Sequence, residues 1–340
     1  MRAHTARSGP GRPWERSAEQ VADDAAGLIG SDLSGATLAR YLSGLPGVDK
    51  VGADARAAGL RTRSIKRDAK AWALDAVISM IDLTTLEGAD TPGKVRSLVA
   101  KARTPEPDDV SCPQPAAVCV YNDMVPVAMD AVAGTDIHIA AVATAFPSGR
   151  ASRAVRLADT SEAVAAGAHE IDMVIDRGAF LRGDYLRVFE DIVAVREVCQ
   201  HRDGGPAHLK VILETGELTT YDNVRKASWL AMLAGADFIK TSTGKVSPAA
   251  TLPVTIIMLE AVRDFLAATG VQVGVKPAGG IRASKDAVSY LVAVNEVAGP
   301  PWLDPGFFRF GASSLLNDVL LQRQRLSTGV YTGPDYVTID

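Results

Sequence analysis

Apolar runs of strand length alternate with helix-like segments along this chain from about residue 70 onward, and this alternation strongly constrains the fold. The strand-like runs are 76–83, 117–121, 139–146, 170–175, 209–214, 238–241, 273–277 and 308–311. Helical periodicity marks the intervening segments, including 91–102, 161–166, 185–199, 223–234, 253–268 and 284–297. Repeated strand–helix alternation indicates a parallel sheet, and eight strands close a (β/α)8 barrel. We therefore predict an α/β fold, a single (β/α)8 TIM barrel.

An open, doubly wound sheet is the alternative to a barrel. Such a sheet usually carries a glycine-rich dinucleotide-binding turn after its first strand, and the sequence at 82–86 is not one. Gly167 and Gly235 each lie just after a helix and directly before a strand, where a left-handed helix cap is favoured. This repeated helix–strand junction supports the barrel.

The composition of the 340 residues, 47% hydrophobic and 22% charged, is typical of a soluble globular protein. A net charge of −4 gives no nucleic-acid footprint, and no apolar run approaches the roughly 18 residues that a membrane helix needs. The three cysteines are odd in number and widely spaced, which favours reduced thiols over a disulfide framework. We expect a cytoplasmic protein without a nucleic-acid or membrane partner.

The start of the chain, residues 1–16, bears arginines and few acidic residues, as transit peptides do. Pro10 and Pro13 argue against an amphipathic helix there and favour a disordered tail. We predict four regions: a disordered tail over 1–20, a short helical N-terminal extension over 21–66, the barrel over 67–328 and a C-terminal tail over 329–340.

Two lysines end successive apolar runs, Lys240 in the sixth and Lys276 in the seventh. A lysine that ends a buried strand pairs, reaches out to solvent or loses its proton. Side-chain alternation points Asp172, Lys210 and Lys276 to the inside of the barrel and the large apolar residues to the helices. Because active sites of such barrels lie at the C-terminal ends of the strands, we expect Lys240, Lys276 and Asp172 to converge.

The chemistry that these residues suggest is attack of a neutral amine on a carbonyl. One lysine with one aspartate could equally be a buried ion pair without chemistry. A second cation nearby disfavours protonation of the first, and burial acts in the same direction, so two lysines favour a nucleophilic amine.

Three turns with small residues follow the sixth, seventh and eighth strands and could hold a phosphate group. They span 241–245, 278–282 and 311–314. Glycine permits close backbone approach, serine caps a helix, and Lys245 or Arg282 supplies charge. A metal site is not expected, because His138, His169 and His208 fall at or just before strand starts, away from the catalytic end.

Seven stretches of the chain resemble the class I deoxyribose-phosphate aldolase family, and they occur in the family's order across about residues 70–320. These stretches are 81–86 (IDLTTL), 117–121 (AVCVY), 170–174 (EIDMV), 214–218 (ETGEL), 238–245 (FIKTSTGK), 276–282 (KPAGGIR) and 310–316 (FGASSLL). The N-terminal extension makes the chain similar to the longer, eukaryotic-type members.

The resemblance implies a Schiff-base aldolase that cleaves 2-deoxy-D-ribose 5-phosphate to acetaldehyde and D-glyceraldehyde 3-phosphate, without a metal or organic cofactor. It makes Lys240 the Schiff-base lysine, Lys276 its pKa-lowering neighbour and Asp172 an acid/base acting through water. The residues that it matches to phosphate-contacting turns are Thr243, Gly244, Lys245, Gly279, Gly280, Ser313 and Ser314. Asp82 and Cys119 are supporting candidates for the substrate cavity, and each could equally have a structural role.

Two alternatives to this function stay open at this point. The chain could be another Schiff-base aldolase or transaldolase acting on a sugar phosphate, or a barrel that binds a sugar phosphate without turnover. A homo-oligomer is possible. Some family members end in a tyrosine that reaches the site, and here the nearest tyrosines are Tyr331 and Tyr336.

Overall fold

Eight parallel strands form a barrel in the computed structural model, which describes residues 12–30, 32–330 and 333. The strands are β1 (Ile81–Thr84), β2 (Ala117–Val120), β3 (His138–Ala143), β4 (Glu170–Val174), β5 (His208–Ile212), β6 (Phe238–Lys240), β7 (Gly274–Lys276) and β8 (Phe310–Ala312). From β1 to β7 each strand pairs with the next in sequence, and β8 pairs with β1. Bridges Val275–Phe308 and Ala278–Gly311 join β7 to the β8 region, so the sheet closes as the strand alternation predicts.

Helices surround this barrel and also precede it. Those that precede β1 are α1 (Ala18–Ile29), α2 (Gly35–Ser43), α3 (Lys50–Arg61) and α4 (Asp68–Ser79). Those that follow the strands are α5 (Pro92–Arg103), α6 (Val125–Val132), α7 (Arg153–Ala165), α8 (Arg177–Leu181), α9 (Tyr185–Gln200), α10 (Tyr221–Leu233), α11 (Leu252–Thr269), α12 (Ser284–Ala293) and α13 (Leu315–Thr328). Within the described ranges, no helix is long and apolar enough to cross a membrane.

The predicted first strand is wrong at its start. Residues 76–79 form the last turn of α4, and β1 begins only at Ile81. The run 76–83 is apolar because both pieces are buried: Val77 and Ile78 pack from the helix, and Ile81 and Leu83 pack from the strand. An apolar run of this length does not by itself separate a buried helix end from a buried strand.

The predicted inside and outside faces of the strands are confirmed. Ile171 and Met173 of β4 belong to the large apolar core between strands and helices, while Asp172 contacts lysines inside the barrel. The predicted glycine caps are confirmed as well, since Gly167 and Gly235 have φ of 96° and 92°. A Cβ at Gly235 would lie 2.9 Å from a Val21 methyl group, so this junction also leaves room for α1.

Helices α1–α3 lie in and around the stretch predicted as a helical extension, and they pack on the outside of the barrel. Helix α3 contacts α11 and α12, and α1 and α2 contact α9 and α10. Ahead of them, the Trp14 ring stacks on His208 at 4.5 Å, at the N-terminal end of β5. The four predicted region boundaries stay a prediction.

Candidate active site

The side chains of Lys240, Lys276 and Asp172 meet inside the barrel. Lys240 and Lys276 are directly paired neighbours in β6 and β7, so both side chains project to the same side of the sheet. Each Nζ lies 2.8 Å from Asp172 Oδ2, and all three side chains are buried. The predicted convergence is therefore observed, while the catalytic role of each residue remains a prediction.

Two more buried cations and two more carboxylates continue this cluster. Lys210 Nζ contacts Asp172 Oδ1 at 3.0 Å and also contacts Glu170. Arg309 lies 2.6 Å from Asp82 and 3.0 Å from Glu170, and Asp82 lies 2.5 Å from Lys276. The lysines at 210, 240 and 276 and Arg309 thus face the carboxylates of residues 82, 170 and 172.

This cluster holds one more potential cation than carboxylates, which bears on the protonation of the amines. A net charge buried without a partner is costly, so the arrangement favours the loss of one proton. Lys276 contacts two carboxylates, Asp82 and Asp172, whereas Lys240 contacts Asp172 alone among the described residues. Lys240 is therefore the amine that loses its proton most easily.

The pKa directions agree with this ranking. Burial lowers the pKa of Lys240, and the Lys276 charge adds to that effect against the opposing pull of Asp172. Burial alone would also lower the pKa of Lys276, but Asp172 and Asp82 more than offset it and raise that pKa. Burial would raise the pKa of the Asp172 carboxyl, yet Lys210, Lys240 and Lys276 hold it well below its usual range.

Lys240 also reaches an open cavity of ≈ 270 Å³ at the C-terminal ends of the strands. All seven residues that the sequence matches to phosphate-contacting turns line this cavity: Thr243, Gly244, Lys245, Gly279, Gly280, Ser313 and Ser314. Gly279 and Gly280 have φ of 78° and 83°, where glycine is favoured. Ser313 and Ser314 immediately precede α13, whose N-terminus favours an anion.

Asp82 and Cys119 lie inside the barrel and are fully buried. Asp82 contacts Lys276 and Arg309, so the structure places it behind the second lysine of the cluster. Cys119 packs with Leu86, Ala140 and Val142, and burial raises the pKa of its thiol. Neither residue is among those that line the cavity reached by Lys240.

Comparison with known proteins identifies the family of this barrel. Residues 76–320 match the family model of the DeoC/LacD family aldolases. The chain belongs to this family. Deoxyribose-phosphate aldolases of Homo sapiens and Mus musculus are 46% and 47% identical to it over 280 and 281 residues. Each alignment covers 79% of this chain and 86% of the relative, so the predicted resemblance to eukaryotic-type members is confirmed.

Solved structures agree with the barrel of this aldolase. The aldolase QR15 superposes with a TM-score of 0.57 at 27% identity, covering 73% of this chain and 96% of QR15. The deoxyribose phosphate aldolase from Aeropyrum pernix superposes with a TM-score of 0.53. At 22% identity over 76% of this chain and 93% of that one, this second likeness shows the fold alone.

Sequence reasoning assigns no role to Glu170, Lys210, Glu214 or Arg309, although all four are buried near the cavity or the lysines. Alternation in 209–214 points Lys210 and Glu214 inward, which was the available signal. For Arg309 the signal is a charged residue inside the short apolar run 308–311. Which partner each contacts depends on neighbouring strands, and that pairing is visible only in the fold.

The three histidines placed at strand starts lie at the opposite end of the barrel, as predicted. The rings of His138 and His169 stack at 5.1 Å, and burial lowers the pKa of His169 to about 4. His138 Nδ1 contacts Glu170 at 2.8 Å. Across residues 12–30, 32–330 and 333, no cluster of three His, Cys, Asp or Glu residues could hold a metal ion. Tyr331 and Tyr336 lie outside the described residues.

Proposed function

We propose that this aldolase forms a Schiff base through Lys240 and reversibly cleaves 2-deoxy-D-ribose 5-phosphate to acetaldehyde and D-glyceraldehyde 3-phosphate. The observation that carries the proposal is the placement of one buried amine of lowered pKa at the edge of a cavity lined by three turns suited to phosphate. Homologues named deoxyribose-phosphate aldolase, at 46–47% identity, support the choice of substrate.

In the cleavage direction, neutral Lys240 adds to the C1 aldehyde of the open-chain sugar, and uptake of a proton with loss of water gives an iminium. Asp172, acting through a water molecule, accepts the proton of the C3 hydroxyl. The C2–C3 bond then breaks, and its electron pair moves to the iminium to give an enamine. Protonation of the enamine at C2 and hydrolysis of the resulting iminium release acetaldehyde and regenerate the Lys240 amine.

The cluster around Lys240 supports both halves of this cycle. Asp172 lies 2.8 Å from both Lys240 and Lys276, so protons can be redistributed among them over hydrogen-bond distances. The raised pKa of Lys276 keeps that amine charged while Lys240 is neutral. In the free enzyme, this persistent cation beside Lys240 disfavours a proton on the Lys240 amine.

The phosphate group gives binding energy far from the reacting carbon. Lys245 supplies charge, and the Gly279–Gly280 turn and the start of α13 supply backbone close to the cavity. With its phosphate bound there, the substrate presents its aldehyde to Lys240 in a fixed orientation. The binding energy of the phosphate group thereby lowers the activation barrier at the reacting carbon.

The test is reduction with borohydride in the presence of 2-deoxyribose 5-phosphate, followed by peptide mass analysis. We expect a two-carbon adduct on Lys240 and no adduct in Lys240→Leu. This variant should stay folded because, among the described residues, the Lys240 amine contacts one carboxylate, that of Asp172. Label on another lysine, or none, contradicts the assignment. A donor panel decides between functions: transfer of a dihydroxyacetone unit would indicate a transaldolase, and binding without turnover would indicate a sensor.

A homo-oligomer and a cytoplasmic location stay predictions for this aldolase. The small-molecule partner that we propose is the sugar phosphate itself.

A further inference from the structure

Glu214 stands out at the C-terminal end of β5 because its backbone and its burial are both costly. Its φ of 53° and ψ of 61° are left-handed, a conformation that residues other than glycine rarely adopt. The residue is fully buried, so its carboxylate is removed from bulk water. Costs of this kind persist where surrounding contacts fix the residue, and they concentrate near functional sites.

The contacts of Glu214 lead to the phosphate-suited turn after β6. Thr243 Oγ1 donates to Glu214 Oε2 at 2.6 Å, and the Thr243 amide lies 3.3 Å from the same oxygen. The Lys245 amide donates to Thr243 Oγ1 at 3.1 Å. The Thr243 hydroxyl therefore gives its only proton to Glu214 while it accepts from the turn that it belongs to.

This bonding changes what Thr243 can do in the cavity. With its proton directed to Glu214, the hydroxyl has none to donate to a phosphate oxygen. The Thr243 side chain instead ties the segment 243–245 to β5. That segment lies against the Gly279–Gly280 turn after β7, since a Cβ on Gly279 would lie only 3.0 Å from Gly244 Cα.

A second set of contacts keeps the Glu214 carboxylate in place. Arg177 Nη1 lies 3.4 Å from Glu214 Oε2, and Arg177 also pairs with Glu217 at 2.7 Å. The same guanidinium donates to the Ser148 carbonyl at 2.9 Å. Arg177 thereby offsets the charge of Glu214 and links the loops that follow β3, β4 and β5.

The loop after β5 also supports the loop after β6 through close backbone packing. A Cβ at Gly216 would overlap the carbonyl oxygen of Pro248. The two loops therefore approach more closely than any other residue at 216 would allow without a shift. Glu214 and Gly216 hold the turn from one side, by hydrogen bonding and by contact.

We propose that Glu214 is a positioning residue that makes the site selective for phosphorylated sugars, by fixing the turn 243–245 against Gly279 through the Thr243 hydroxyl. The inference rests on the proposed function for its substrate. Glu214 itself touches no substrate in this account, and its negative charge, covered by Thr243 and Arg177, does not oppose the phosphate directly.

The experiment compares 2-deoxyribose 5-phosphate with unphosphorylated 2-deoxyribose in Glu214→Ala and Glu214→Gln. We expect Glu214→Ala to raise KM for the phosphorylated sugar about tenfold or more, the scale of a lost charged hydrogen bond, and to leave kcat/KM for the other sugar within about twofold. Glu214→Gln should recover part of the loss, because its amide oxygen still accepts from Thr243. The control Glu217→Gln removes the other, partly exposed carboxylate on Arg177 and should change neither value.

A double-mutant cycle identifies the route of the effect. Thr243→Val should reproduce the phosphate-specific loss, and adding Glu214→Ala should cost little more, since both remove one interaction. Equal loss on both sugars would mean that Glu214 supports Lys240 rather than the turn, and would overturn the proposal, as would additive losses or no change.

A binding measurement separates this proposal from the proposed function. Calorimetry with inorganic phosphate needs no turnover, and the variant should bind phosphate more weakly than the wild type. If the wild type cleaves neither sugar, but Glu214→Ala still binds phosphate more weakly than the wild type does, the proposed substrate is wrong and the proposed role of Glu214 stands. Unchanged phosphate affinity would reject that role even if the wild type cleaves both sugars.

Discussion

Asp172 contacts three lysines, and these lysines differ in whether they contact a further carboxylate. That difference determines which amine loses its proton most easily. Its Oδ2 lies 2.8 Å from both Lys240 and Lys276, and its Oδ1 lies 3.0 Å from Lys210. Lys210 and Lys276 each have a further carboxylate, in Glu170 and Asp82. Lys240 has no second carboxylate among the described residues, so burial dominates there and the pKa falls.

Replacing Lys276 with leucine should move the acid limb of the activity profile to higher pH. Lys276 lowers the pKa of Lys240, and its loss also leaves Asp172 more available to stabilise a charged Lys240. A raised pKa leaves less neutral amine at a given pH, so borohydride trapping near pH 7 should slow about tenfold each time the pKa rises by one. The measurement is the trapping rate against pH.

Lys245→Met is the control for that profile. Lys245 pairs with Glu87 at the rim of the cavity, so its loss should weaken phosphate binding without moving the limb. A Lys276→Leu profile that keeps the wild-type limb would contradict the charge argument for Lys240.

Sequence alone predicts the three central residues but not their surroundings. Lys240 and Lys276 end apolar runs and Asp172 alternates inward, so position along a strand is enough to bring them together. The role of Arg309 cannot be read in this way. Its partners Asp82 and Glu170 come from β1 and β4, and only barrel closure brings β8 to both.

At the scale of elements, the site depends on two turns that approach each other closely. A Cβ on Gly279 would lie 2.8 Å from the Ala249 methyl and 3.0 Å from Gly244 Cα, and the φ of Gly279 is 78°. The turn after β7 thus touches the loop after β6 with no space for a side chain. Loops that are separate in sequence form one phosphate-suited surface because both approach at glycine.

Gly279→Ala should therefore impair substrate binding as well as stability. The added methyl group must displace backbone of the facing turn, so we expect KM for the phosphorylated sugar to rise about tenfold or more, and stability to fall by about 2 kcal/mol or more. The control Gly183→Ala has a similar φ of 84° and open space around it, and should lose only about 1 kcal/mol with unchanged KM. Equal effects of the two variants in denaturant unfolding and kinetics would contradict the close-approach argument.

Element type was predictable where one apolar run corresponds to one element, and failed where a run contains two. Seven of the predicted strands overlap observed strands, but 76–83 merges the end of α4 with β1. Tertiary burial of both pieces, which a short sequence window does not show, makes this run uniformly apolar.

At the scale of the whole molecule, residues 12–17 before α1 are bound to the end of the barrel opposite the cavity. Arg196 is fully buried, pairs with Asp237 at 2.7 Å and donates to the carbonyl oxygens of Pro13 and Arg16 at 3.0 Å. Residues 12–16 fall within the region predicted as a tail from composition alone. Composition does not show that Arg196, a buried residue of α9, donates hydrogen bonds to those carbonyl groups.

Arg196→Met should destabilise the fold strongly and leave catalysis intact in the folded enzyme. It leaves Asp237 buried without its cation, which typically costs about 3–5 kcal/mol, and it also releases Pro13 and Arg16. Urea unfolding should show that loss, while kcat/KM at low denaturant stays within about twofold, because this pair lies at the far end of the strands from Lys240. Arg153→Met removes a half-exposed guanidinium that lies 3.8 Å from Glu190 and 3.8 Å from Asp191, and Asp191 keeps its pairing with Arg156. It should therefore cost no more than about 1 kcal/mol. Two results would contradict this account: equal losses of unfolding free energy in the two variants, or slower turnover in Arg196→Met without a loss of stability. Either would mean that the contacts of Arg196 do not stabilise the barrel as the structure indicates.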